Sequence, residues 1–162
     1  MVLVSSCRTQ VKEERLREAD QKTFDIMLYI AGRKEQDYLT VEDLEKFDCQ
    51  AFKEIDKLWL DYPKPGTRHF GFSVQKEIWQ KNGSPDEKSS VDIWREFYID
   101  IGWKEKESGT KSNEGYLPYQ DIGAFTGRFT EDFNKGALPE WFWQENTSIV
   151  FGHNLFSRCE EL

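Results

Sequence analysis

The stretch that decides the fold covers residues 69–80 and reads His-Phe-Gly-Phe-Ser-Val-Gln-Lys-Glu-Ile-Trp-Gln. Ser73 is a suitable N-cap residue, because its hydroxyl can accept a hydrogen bond from a free N–H of the first helical turn. Val74 and Ile78 then form an apolar i,i+4 pair, and Phe72 occupies the position of a hydrophobic staple. The sequence therefore predicts a helix that begins at Ser73.

The two phenylalanines that flank Gly71 allow two interpretations. Gly71 lets the backbone adopt a conformation that is closed to other residues, so the chain can turn sharply between them. Periodicity alone favours Phe70 and Phe72 as core residues beneath a loop. The alternative is that both side chains line a pocket.

Length, hydropathy and charge limit the class of protein. With 162 residues the chain is long enough for one domain with one core. Mean hydropathy is -0.75, and no window approaches the roughly 18 apolar residues of a membrane span. Residues 1–4 are too short for the apolar part of a signal peptide, and Arg8 follows them, so we expect a soluble intracellular protein. A net charge of -8 with scattered Lys and Arg argues against nucleic-acid binding.

The cysteines and the aromatic residues give two further expectations. Cys7, Cys49 and Cys159 form no CxxC motif and no metal-ligand spacing, so we expect reduced structural cysteines and no metal site. The chain has 12 Phe, 6 Trp and 6 Tyr, more flat rigid surface than a core alone usually needs. Such side chains suit planar ligands and peptide partners, although core packing is the default for most of them.

Upstream of the opening stretch, apolar periodicity and capping residues predict helices. The first covers residues 8–31 and stops at Gly32. The second covers residues 41–47, with Thr40 as N-cap and Asp43 at the capping-box spacing. A third, capped by Asp48, covers 49–62 and is strongly amphipathic. Its predicted apolar stripe consists of Phe52, Ile55, Leu58 and Trp59, and its polar side of Lys53, Glu54, Asp56 and Lys57.

Downstream, Ser90 is the predicted N-cap of a further helix that Gly102 ends. Its broad apolar face comprises Ile93, Trp94, Phe97, Tyr98 and Ile101. The loops at 63–68 and 126–137 are rich in proline or in polar residues, yet the second carries phenylalanines that need a partner. We expect the apolar C-terminal stretch, 151–158, to dock on the core.

Catalytic motifs are absent from the sequence: it contains no glycine-rich phosphate loop, no G-x-S-x-G and no H-E-x-x-H. His69 and His153 are candidate axial ligands for a metal in a macrocycle, although a lone histidine is more often a surface or capping group. Arg68, Arg128 and Arg158 are candidates for a bidentate contact with a ligand carboxylate, and an ordinary surface role is equally open for each.

A series of motifs in fixed order resembles a known family. The motifs are Ile55-Asp56-Lys57-Leu58-Trp59, Phe70-Gly71-Phe72-Ser73-Val74-Gln75, Ile101-Gly102-Trp103, Gly136-Ala137-Leu138-Pro139 and Leu155-Phe156-Ser157-Arg158. Together they resemble the core domain of the genomes-uncoupled-four (Gun-four) family over about residues 15–160. The resemblance implies a core domain at 15–162, preceded by a tail or frayed helix start at 1–14.

The resemblance also implies a fold and a function. The fold is all-α, a cupped hand with two flexible finger loops, which would be residues 61–72 and 125–138. The function is non-enzymatic binding of a porphyrin, protoporphyrin IX or Mg-protoporphyrin IX, with stimulation of magnesium chelatase in chlorophyll biosynthesis through its large porphyrin-binding subunit. The location would be a cyanobacterial cytoplasm or a plastid stroma, peripheral to thylakoid membranes.

Matching positions give the candidate ligand-binding residues. The first group is Phe70, Phe72, Val74, Leu138 and Pro139, and the second group is Ile122, Phe125, Arg128, Trp141, Phe156 and Arg158. A porphyrin has an apolar plane with acidic side chains at one edge, so apolar walls with cations at the rim would suit it.

Departures from the family pattern keep alternatives open. The first finger has additional residues at 63–68, and the usual Gly-His-Leu-Pro appears as Gly136-Ala137-Leu138-Pro139. The cluster Trp141-Phe142-Trp143 is also atypical. An open-chain bilin is therefore an alternative ligand, and an aromatic groove that holds a partner peptide is an alternative function.

Overall fold

The computed structural model describes residues 2–62, 70–86, 88–101 and 149–162. These residues form α-helices and no strands, which confirms the predicted all-α class. The helices are α1 (Val2–Ile30), α2 (Val41–Glu45), α3 (Cys49–Leu60), α4 (Phe72–Lys81), α5 (Val91–Asp100) and α6 (Ile149–Arg158). The division of the chain at residue 15 stays a prediction.

Helix α1 begins earlier than its pattern predicts, at Val2. Its last residue is Ile30, and Gly32 closes its C-terminal end as predicted. Gly32 has φ 69°, and its N–H donates to the Tyr29 carbonyl at 3.1 Å. The Arg33 N–H donates to the Leu28 carbonyl at 2.8 Å, which completes a Schellman motif. The face of α1 that enters the core carries Leu16, Phe24, Met27 and Leu28.

The predicted N-caps of α2 and α3 are confirmed. The Thr40 hydroxyl accepts the Asp43 N–H at 3.2 Å, and the Asp43 carboxylate accepts the Thr40 N–H at 2.8 Å, so the capping box is complete. The Asp48 carboxylate accepts the N–H groups of Gln50 and Ala51. Both helices end two residues before the predicted bounds, because α2 stops at Glu45 and α3 at Leu60.

The predicted faces of α3 need two corrections. Leu58, assigned to the apolar stripe, is 70% exposed, whereas Asp56, assigned to the polar side, is only 3% exposed. Phe52, Ile55, Asp56 and Trp59 follow the i, i+3, i+4, i+7 spacing of one helical stripe, and Leu58 lies beside that stripe. The position of α3 between α1 and α4 therefore buries an aspartate and leaves a leucine in solvent.

The predicted start of α4 is wrong by one residue, and Ser73 is not its N-cap. The helix begins at Phe72 with Gly71 as N-cap, at φ 120°. The Ser73 N–H donates to Asp56 Oδ1 of α3 at 2.9 Å, while the Ser73 hydroxyl is buried without a hydrogen-bond partner. A carboxylate 17 residues upstream thus satisfies the N–H that a local cap would have satisfied.

Helix α5 begins after Ser90 as predicted, although the Ser90 side chain makes no capping bond. Four of its five predicted apolar residues are buried: Trp94, Phe97, Tyr98 and Ile101. Ile93 is instead 40% exposed. The predicted stop at Gly102 lies outside the described residues.

Helix α6 confirms that the C-terminal stretch docks on the core. It packs against α2, and Leu155 and Phe156 are buried. The Phe156 ring lies 5.6 Å from the ring of Trp79 on α4, measured between centroids. After α6, the Lys76 ammonium donates to the carbonyls of Cys159 at 2.8 Å and Glu160 at 3.2 Å.

The expectation of reduced cysteines is wrong for two of the three. Cys49 and Cys159 form a disulfide across a Cα–Cα distance of 5.4 Å and a sequence separation of 110 residues. Cys49 is the first residue of α3, and Cys159 follows the last residue of α6. The CxxC motif does not reveal this pair, because it marks cysteines that are close in sequence, and Cys49 and Cys159 are close only in the folded protein.

Candidate ligand-binding site

Five of the predicted ligand-binding residues lie in the part of the chain that the structure describes: Phe70, Phe72, Val74, Phe156 and Arg158. The other six lie outside it: Ile122, Phe125, Arg128, Leu138, Pro139 and Trp141. A ligand-binding role stays a prediction for all eleven. The candidate axial ligand His69 and the candidate rim cation Arg68 also lie outside the described residues.

Phe70, Phe72 and Val74 are all buried in the core. The Phe72 ring lies 4.5 Å from the Phe52 ring of α3. Phe70 packs edge-on against Trp59 at 6.3 Å and parallel to Tyr62 at 6.1 Å. This packing agrees with the interpretation that both phenylalanines are core residues beneath a loop. Phe70 also holds the ring of Tyr62 in place by stacking on it.

On α6, Phe156 is buried and Arg158 is exposed. His153 is half-buried, with its ring 6.0 Å from that of Trp79 and its Nδ1 3.2 Å from the Ser157 hydroxyl oxygen. One face of this histidine is therefore already used by protein contacts. Among the described residues, no group of three or more His, Cys, Asp and Glu side chains could hold a metal ion.

An apolar groove lies between α1 and α3 and extends to Tyr62, which follows α3. It has a volume of about 450 Å³, within the range of roughly 300–1,000 Å³ that is usual for small-molecule sites. We call it the α1–α3 groove. Its lining residues are Arg15, Leu16, Ala19, Lys22, Thr23, Ile26, Leu58, Trp59 and Tyr62.

The two aromatic residues of the α1–α3 groove, Trp59 and Tyr62, are held in place by contacts with other side chains. The Trp59 Nε1–H donates to the Thr23 hydroxyl at 3.0 Å, which joins α3 to α1. Tyr62 stacks on Phe70, with 24° between the ring planes. Both rings are therefore held in fixed positions, and Tyr62 is the more accessible of the two, since Trp59 is only 5% exposed.

The rim of the α1–α3 groove is cationic. Arg15 and Lys22 are the charged residues among the described lining residues, and none of these described residues is acidic. The whole chain carries a net charge of -8, whereas the described lining residues of the groove carry two positive charges. An apolar molecule with carboxylates at one edge matches this arrangement.

A second groove of about 490 Å³ continues along α1 and shares Lys22 and Ile26 with the first. Its lining also includes Asp25, Tyr29 and Asp37. The two carboxylates make this continuation less favourable for an anionic group than the α1–α3 groove.

Sequence reasoning did not find the α1–α3 groove, because its residues come from two helices that are separated in the chain. The sequence contains one indication of the groove. Ile26 and Leu58 are large apolar residues that lie outside the buried stripes of their helices, and both are exposed at the groove. Their meaning depends on which helices are neighbours, and the periodicity of a single helix does not contain that information.

The arrangement of helices is similar to that of known structures. The ligand-free structure of Arabidopsis thaliana GUN4 has a TM-score of 0.64 and 17% identity, over 91% of this chain and 85% of that chain. The structure of GUN4 from Chlamydomonas reinhardtii has a TM-score of 0.54 and 21% identity, over 91% and 79% of the respective chains. These likenesses establish the fold.

The family follows from the sequence match. The family model described as GUN4-like matches residues 4–141, and the chain belongs to this family. The resemblance seen in the motif series is thereby confirmed.

Three characterised or named relatives match parts of the chain. The "tetrapyrrole-binding protein, chloroplastic" of Arabidopsis thaliana is 22% identical over 91% of this chain and 53% of its own length. The "uncharacterized protein ycf53" of Cyanidium caldarium is 31% identical over 53% of this chain and 32% of its own length. The "Ycf53-like protein" of Synechocystis is 29% identical over 60% and 38%. The chain thus spans between a third and about half of these relatives.

Among the described residues, no helix is long and apolar enough to cross a membrane.

Proposed function

We propose that this protein binds a tetrapyrrole without chemically changing it. The α1–α3 groove carries the proposal, because it combines the accessible ring of Tyr62, apolar walls and two rim cations in a volume suited to a small molecule. The name of the Arabidopsis relative, tetrapyrrole-binding protein, supports the choice of ligand class. The absence of a catalytic motif from the sequence supports a non-catalytic role.

A porphyrin is the preferred ligand, with protoporphyrin IX and Mg-protoporphyrin IX as the first candidates. Its plane would pack on Tyr62 and on the exposed side chains of Ile26 and Leu58, and its carboxylates would reach Arg15 and Lys22 at the rim. A bilin has similar carboxylates on a flexible open chain. Binding would cost it more conformational entropy unless the site matches its curvature.

The direct test is a titration with protoporphyrin IX, Mg-protoporphyrin IX and a bilin in parallel. We expect quenching of tryptophan fluorescence and a shift of the Soret band for the porphyrins at micromolar concentration. Flat titrations with all three pigments would contradict the proposal. Stronger binding of the bilin would support a tetrapyrrole as the class of ligand but would make the bilin, and not a porphyrin, the preferred ligand.

Three variants test where the pigment binds. Neutralising the groove with Arg15→Gln and Lys22→Gln together should raise Kd about tenfold, since two charged contacts at an exposed rim contribute about 0.7 kcal/mol each and about 1.4 kcal/mol corresponds to a factor of ten. Arg158→Gln tests the position predicted from the family resemblance. Arg17→Gln, an exposed arginine on α1 outside the groove lining, is the matched control and should leave Kd unchanged.

Family membership supports a second proposal, which concerns the role of the pigment complex. We propose that the pigment-loaded protein stimulates magnesium chelatase through its large porphyrin-binding subunit, in a plastid stroma or a cyanobacterial cytoplasm. The chloroplastic and cyanobacterial sources of the relatives support this setting. Chelatase assays with and without the protein test it, and an unchanged rate of magnesium insertion would contradict the partner while leaving pigment binding intact.

A further inference from the structure

The disulfide between Cys49 and Cys159 lies in an open cleft between the start of α3 and the C-terminal end of the chain. The cleft has a volume of about 220 Å³, and both cysteines line it together with Gln50, Lys53 and Arg158, among others. Cys49 is partly exposed, whereas Cys159 is 3% exposed. A small thiol can therefore reach one of the two sulfurs, Cys49 Sγ, without unfolding of the protein.

Opening the disulfide leaves other contacts between α6 and the rest of the protein. Leu155 and Phe156 stay buried, Phe156 packs on Trp79, and Lys76 donates to two carbonyls beyond α6. The remaining charged link across the cleft is weak, because Lys53 and Glu161 are 3.7 Å apart and both are exposed to solvent. The covalent link is therefore an added constraint on a helix that has its own packing.

From this geometry we propose that Cys49 and Cys159 form a redox modification site, which a dithiol reductant opens in the folded protein to loosen α6 from α3. The thiolate of the reductant attacks Cys49 Sγ, the S–S bond breaks, and Cys159 leaves as a thiolate that takes up a proton. The second thiol of the reductant then attacks the mixed disulfide, which releases Cys49. Two electrons and two protons pass to the protein, and the reductant becomes a disulfide.

The first measurement counts thiols. The protein is incubated under native conditions with dithiothreitol, quenched in acid, denatured and labelled with a maleimide polymer. We expect one reactive cysteine, Cys7, before treatment and three after it. Three reactive cysteines in the untreated, air-oxidised protein, or one after native treatment, would overturn the proposal.

The second measurement is amide hydrogen exchange in α6. We expect exchange in the reduced protein to be on the order of tenfold faster at residues 155–158, since a cross-link that closes a long loop limits local opening. Exchange in α5, which the disulfide does not touch, should stay the same. Equal exchange of α6 in both states would contradict the proposed loosening.

Variants separate the redox site from general effects of the reductant. Cys49→Ser with Cys159→Ser should exchange like the reduced protein and should not respond to dithiothreitol. Cys7→Ser is the matched control and should respond like the parent chain. Neither readout involves a pigment, so the result is independent of tetrapyrrole binding.

Discussion

The helices α2 and α4 begin in two different ways. The start of α2 is closed within four residues, since Thr40 and Asp43 exchange hydrogen bonds in a capping box. The start of α4 has no local side-chain cap, and the Ser73 N–H is instead satisfied by Asp56, which belongs to α3. The capping box of α2 depends only on residues that are neighbours in the chain. The hydrogen bond from Ser73 to Asp56 forms only when α3 and α4 have docked.

The junction at α4 also has a steric requirement that α2 lacks. Gly71 has φ 120°, and a Cβ atom at this position would lie 2.6 Å from Asp56 Oδ1 and 3.2 Å from Leu60 Cδ2. A glycine is therefore needed for two reasons, its backbone conformation and the close approach of α3. Because the same carboxylate caps the helix, the glycine and the aspartate act as one unit.

The largest expected effect comes from Gly71→Ala. Backbone strain together with the collision with Asp56 should destabilise the protein by about 3 kcal/mol. Urea unfolding followed by tryptophan fluorescence measures it. Gly32→Ala is the matched control, because Gly32 also has a positive φ of 69° but nothing within 4 Å of the added Cβ. Equal losses for the two variants would show that the contact with Asp56 costs nothing.

The next largest effect is expected for Asp56→Ala. This change leaves the buried Ser73 N–H without its acceptor, which should cost about 2 kcal/mol. A double variant with Gly71→Ala sharpens the result, since removal of the carboxylate also removes the nearest atom in the collision. We expect the double variant to lose less stability than the sum of the single losses. Strict additivity would mean that the two residues act independently.

A smaller effect is expected for Thr40→Ala. Loss of the hydroxyl that accepts the Asp43 N–H should cost about 1 kcal/mol. Asp48→Ala, at the N-cap of α3, provides a comparison with a similar expected loss. Because both caps are local, their effects should be additive with that of Asp56→Ala, and coupling between Thr40 and Asp56 would contradict the distinction between the two kinds of helix start.

The capping box also predicts a dependence on pH. Burial alone would raise the pKa of Asp43, but hydrogen bonds from Thr40 and Arg33 outweigh it and hold the pKa below its ordinary value of 3.8. A lowered folded-state pKa gives stability that is present above 3.8 and is lost as the pH falls through the folded value. Acid unfolding curves of the parent and of Asp43→Asn test this, since the variant should lose less stability over that window.

The smallest effect is expected for Ser73→Ala. Sequence reasoning makes Ser73 the N-cap, and loss of a cap would cost about 1 kcal/mol. The structure buries its hydroxyl without a partner, so the alanine variant should be as stable as the parent or more stable. A loss close to that of Thr40→Ala in the same unfolding experiment would restore Ser73 as the cap.

Several features of this protein were determined by the sequence alone. The stop of α1 at Gly32 and the caps at Thr40 and Asp48 follow from residues that interact within about five positions of each other, and the family resemblance implied the all-α class. The motif series also sufficed to indicate the family. Such signals are readable because helix propensity, capping and turn chemistry are local.

Tertiary structure decided the rest. It placed Asp56 at the start of α4, joined Cys49 to Cys159, and brought residues of α1 and α3 together in an apolar groove. Each of these depends on which helices are neighbours and on their rotation about their own axes. Leu58 and Asp56 show the limit of prediction from periodicity. The pattern placed both residues correctly on a helix, but only the packing of α3 decided that the aspartate is buried and the leucine is exposed.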